Sequence, residues 1–119
     1  MLRITLVSLL FATSAVAHEA GLGPNGGMRV DAAPYRVELV PNGTKVDVYV
    51  TLDADDSAAA TETLTGTAIL VLDGKPVRTP LTPSTPGVLS GDTGLTVPEG
   101  VKGAVQLKGP DGATVQAKF

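Results

Sequence analysis

The sequence predicts an all-β protein: a small antiparallel β-sandwich of immunoglobulin-like type, with a small β-barrel as second choice. Three observations lead there. Short stretches alternate apolar and polar residues, Gly, Pro, Asn and Asp punctuate them at roughly ten-residue intervals, and no 3.6-residue periodicity runs long enough for a full helix. The 119 residues suffice for one small domain, and no internal repeat is evident.

Residues 1–17 stand apart from this pattern. Arg3 precedes an apolar run from Ile4 to Ala12, and a small-residue stretch ends in Ala15-Val16-Ala17, the form a signal peptidase cuts. The run is about half the 20 residues a membrane-spanning helix needs, and no second run of that length follows. Cleavage after Ala17 is therefore expected, leaving a periplasmic protein that begins at His18 and carries no membrane anchor. A lipoprotein would need a cysteine at that position.

From His18 to Gly27 the sequence HEAGLGPNGG is too rich in glycine for a regular element and reads as a mobile arm. The sandwich domain then spans residues 28–119. Within it Tyr35, Val37 and Leu39 alternate on one side, as do Val46, Val48, Val50 and Leu52. Asn42-Gly43 between them predicts a tight hairpin, and this reading outweighs that of Asn42-Gly43-Thr44 as a glycosylation sequon. Ala68 to Leu72 is apolar at every position, as a central strand covered on both faces would be, and Asp73-Gly74 turns the chain. Val77–Leu81, Val88–Leu89 and Leu95–Val97 are short and broken by Pro80, Pro83, Pro86 and Pro98, which places them at edges or in loops. Val105 and Leu107, then Val115, Ala117 and Phe119, flank Gly109-Pro110-Asp111-Gly112 as a terminal hairpin.

Composition removes whole classes of function. With no cysteine there is no thiolate nucleophile, disulfide or zinc finger. A net charge of −3, scattered Lys and Arg and no tryptophan exclude a nucleic-acid partner. The lone histidine lies in the arm, away from any serine of the folded body, and no pair of acids is singled out. An enzyme is not expected.

Two groups of residues remain as candidate metal ligands. Asp53, Asp55 and Asp56 crowd three carboxylates into a loop, as a hard cation requires, although the glycine and glutamate of an EF-hand are missing. His18, once amino-terminal, offers its α-amine and an imidazole nitrogen to one ion, a chelate that suits copper(II) or another divalent metal. Glu19 would add an oxygen and Met28 a soft sulfur.

The stretch from His18 to Val40, with Gly23-Pro24-Asn25-Gly26-Gly27, Val30-Asp31-Ala32 and Tyr35-Arg36-Val37-Glu38-Leu39-Val40, resembles small periplasmic proteins of proteobacteria. It is also similar to a segment of the adaptor subunits of heavy-metal efflux pumps. The resemblance implies a metal-resistance or metal-homeostasis context. Similar proteins carry further histidines where Ala20 or Leu22 stands here, around Arg36 and near Ala54, so this chain lacks the residues that would complete their site. The expected function is that of a non-enzymatic periplasmic protein linked to copper or other heavy metals. The alternative is a module that docks by a sheet edge onto an envelope or efflux component and binds no metal.

Overall fold

A computed structural model describes residues 21–119. The order of elements is β1 (Gly21–Leu22), β2 (Met28–Ala32), β3 (Tyr35–Asn42), β4 (Lys45–Leu52), a 3₁₀ turn (Thr61–Thr63), β5 (Thr65–Leu72), β6 (Lys75–Pro83), β7 (Val88–Asp92), β8 (Gly103–Lys108) and β9 (Thr114–Lys118). The strands form one antiparallel sheet in the order β1-β2-β3-β4-β7-β6-β5-β8-β9. The sheet curls until β2 approaches β9, enclosing a single core. The all-β expectation holds, and the curled sheet is intermediate between a sandwich and a small barrel.

The bend lies where β6 meets β7. Only Thr82 and Pro83 of β6 pair with β7, opposite Ser90 and Leu89, while residues 66–72 of β5 pair with all of Lys75–Leu81. The two halves then face one another: a Cβ on Gly66 of β5 would lie 3.1 Å from Leu89 Cδ1 of β7. Val37, Val46, Val48, Val50, Ala68, Leu70, Leu89 and Val105 are fully out of water in the space between. The alternation read from β3 and β4 thus marks the buried face, because a period of two sends every second side chain inward.

Asn42 is the last paired residue of β3, opposite Lys45, so Gly43-Thr44 rather than Asn42-Gly43 forms the two-residue turn, with Gly43 at φ 65°. Asp73 and Gly74 turn between β5 and β6 with φ of 49° and 73°, the two left-handed residues of a type I′ turn.

Four expectations require correction. Residues 21–27 are ordered: β1 pairs with β2, and the Gly23 N–H donates to Gly27 O at 2.7 Å. β5 is central, but only Ala68, Leu70 and Leu72 face the core; Val71 is half exposed, since an antiparallel sheet leaves one face to solvent. β6 lies inside the strand order despite Pro76 and Pro80. Counting back from the closing pair Leu72–Lys75, both prolines oppose β5 at non-hydrogen-bonded positions, so their missing N–H groups cost the ladder nothing there. On the other side β7 has not yet joined them. Lastly, Val88–Leu89 opens β7, which lies inside the strand order between β4 and β6 rather than at an edge or in a loop. Leu95–Val97 is a loop, as expected, in which the Val97 N–H donates to Gly43 O at 2.9 Å and the Val97 side chain is buried.

Candidate functional site

The polar residues gather on the outer face of β2, β3, β4 and β7. Register sets them in rows, because residues directly opposite in neighbouring strands share a face. Arg29, Glu38, Tyr49 and Val88 form one row across four strands, and Asp31, Arg36 and Thr51 form the next.

Glu38 anchors the first row. Its carboxylate, although the residue is only 2% exposed, accepts hydrogen bonds from the Gly27 N–H at 2.8 Å, the Asn25 N–H at 3.0 Å and Asn25 Nδ2 at 3.0 Å. A buried carboxylate is tolerable only when such donors replace its water. In turn the glycine-rich turn 23–27 is clamped to the sheet. Glycine is needed at its close contacts: a Cβ on Gly23 would collide with the Glu38 side chain, and one on Gly27 with the Leu39 carbonyl.

The second row explains the acidic loop. Arg36 Nε lies 3.1 Å from Asp53 Oδ1 and 3.6 Å from Asp31 Oδ1, and its Nη1 lies 3.2 Å from Asp56 Oδ1. Arg29 approaches the same Asp56 oxygen at 4.0 Å. Asp55 turns instead to Ser57, whose hydroxyl donates at 2.6 Å and whose N–H donates at 3.0 Å. These two bonds, the hydroxyl's foremost, hold the Asp55 carboxyl below its ordinary value.

The candidate metal ligands among the described residues therefore do not converge. The carboxylates of Asp53 and Asp56 are directed at guanidinium groups and that of Asp55 at Ser57; Met28, 39% exposed, begins β2 opposite Leu22. Among the described residues no group of three or more His, Cys, Asp or Glu could hold a metal ion. The metal implied by the resemblance thus finds no fitting donor set there. His18 and Glu19 lie outside the described residues.

Above the two rows is a cleft of about 380 Å³. Pro24 and Asn25 of the clamped turn form one wall, Thr85 and Pro86 the other, and Tyr49, Arg29 and Asp56 line the space between. The second wall is also braced, because the buried Thr61 hydroxyl accepts the Gly87 N–H at 3.1 Å. In the floor, Thr51 Oγ1 is the one buried side-chain oxygen without a hydrogen-bond partner among the described residues. Sequence reading missed Arg29, Glu38 and Tyr49 as site residues. Alternation does place Glu38 opposite to Val37 and Leu39, but nothing local signals that a distant turn covers it. No protein-family model, curated protein or solved structure matches the chain.

Proposed function

We propose that this chain is a non-enzymatic, exported periplasmic protein with a role in handling copper or another heavy metal, and that its metal ligands start at His18. The observation that carries the reading is the clamp of residues 23–27 on Glu38. Three peptide steps, through Glu19 and Ala20, link His18 to Gly21, a contour of about 10 Å at most, and Gly21 pairs with Arg29 of β2. Met28 stands at the same edge, opposite Leu22, and supplies a thioether nearby. Asp53, Asp55 and Asp56 already have partners and are assigned to holding the loop rather than a metal.

The test is titration of copper(II) into three forms: protein beginning at His18, the same protein with one extra residue ahead of it, and His18→Ala. An added residue turns the α-amine into an amide and breaks the chelate without touching the sheet. Tighter binding by the first form alone is expected. Equal affinities in all three would remove His18 from the role.

A second reading has its own support. Leu22 is 82% exposed on the edge strand β1, beside half-exposed Met28, as a surface would be that docks onto an envelope or efflux component. Under that reading the three forms bind copper alike, and Leu22→Asp abolishes docking.

A further inference from the structure

We propose that the cleft between the turn 23–27 and the segment Thr85–Pro86 binds a free α-amino acid with an apolar side chain, its carboxylate on Arg29 and its ammonium on Asp56. This goes beyond the metal reading and does not depend on it. Three observations lead to it.

The first is an arginine with donors to spare. Among the described residues the Arg29 guanidinium makes no hydrogen bond, and its one ion-pair contact, to Asp56 Oδ1, is stretched to 4.0 Å. Glu38 stands directly opposite Arg29 in the neighbouring strand, yet spends its oxygens on Asn25 and Gly27. A guanidinium fork of this kind matches a carboxylate through two parallel bonds.

The second is the balance of charge. Of the charged residues that line the cleft, one guanidinium, Arg29, stands against two carboxylates, Asp56 and Glu38. A simple carboxylate or phosphate would add to the negative excess, and a simple cation would leave the Arg29 donors unused. A ligand with both charges on one carbon adds no net charge. It lies antiparallel to the Arg29–Asp56 pair, ammonium against Asp56, which is 57% exposed in its side chain and within reach.

The third is shape. The cleft of about 380 Å³ lies at the small end of ligand pockets, and both walls are braced, by Glu38 and by Thr61. Pro24, Pro86, Val88 and Tyr49 offer an apolar and aromatic lining for a side chain.

Calorimetric titration of the full mature protein with L-phenylalanine tests the proposal, with phenylalaninamide, N-acetylphenylalanine and 3-phenylpropionate as controls. Phenylalanine should bind, and each control, lacking one charge, should bind at least about tenfold more weakly. Arg29→Gln should weaken phenylalanine binding by a similar factor. Ala58→Phe, at an exposed position lining the cleft, fills the space without altering either charge and should also abolish binding, so the proposal stays testable if Arg29→Gln fails to fold. Absence of binding at millimolar phenylalanine, controls that bind as well as phenylalanine, or an unchanged affinity in a folded variant would each overturn it.

Discussion

The carboxylate of Glu38, buried on the outer face of β3 beneath the turn 23–27, accepts the Gly27 N–H at 2.8 Å from a residue eleven positions earlier in the chain. This contact turns a glycine-rich stretch into a fixed wall, since the donors of Asn25 and Gly27 have no strand partner to satisfy them otherwise.

Glu38→Ala should therefore destabilise the fold by about 1–3 kcal/mol, because it leaves the buried Gly27 N–H without its acceptor. Urea denaturation measures the loss. Hydrogen exchange should show the Gly27 amide losing its protection while the amides of β5 keep theirs. Uniform protection at Gly27 would show that the turn holds itself.

Leu70 is fully buried at the centre of β5, between β6 and β8. Leu70→Ala should cost about 2–5 kcal/mol through lost burial and the cavity left behind. An unchanged melting temperature would contradict this packing.

Two glycines should differ in kind. At Gly74, φ is 73° and a Cβ would meet nothing within 4 Å, so Gly74→Ala should cost only the conformational penalty of roughly 1–2 kcal/mol. At Gly103, φ is 152° and a Cβ would strike the Ile69 carbonyl of the neighbouring strand, so Gly103→Ala should disrupt the β5–β8 pairing itself. Thermal unfolding of the two variants side by side distinguishes a shifted transition from a lost one.

Acid should weaken the protein through Asp55 and Asp92. The Ser57 hydroxyl and N–H lower the first, and the Gly94 N–H, then the Thr44 side chain, lower the second. A carboxyl whose folded value is depressed contributes stability that is complete above its unfolded value, about 3.9, and is lost as pH falls through the folded value. Carboxyl NMR titration should show the Asp55 midpoint rising toward the ordinary value in Ser57→Ala, with the Asp92 midpoint unmoved.

How far the sequence alone determined this protein follows from the range over which each signal acts. Alternation in Tyr35–Leu39 and Val46–Leu52 identified the core face, and Asp73-Gly74 a type of turn, because side-chain direction and backbone φ are local properties. The absence of cysteine likewise left no thiolate or disulfide chemistry to this chain, by composition alone. Only the tertiary structure decided that Pro76 and Pro80 could lie within the strand order, that Arg36 gathers Asp31, Asp53 and Asp56, and that Glu38 fixes the turn 23–27 to make a cleft with Arg29 and Tyr49. Each of these rests on partners far apart in the chain, and strand register, which no short stretch encodes, is what brings them together.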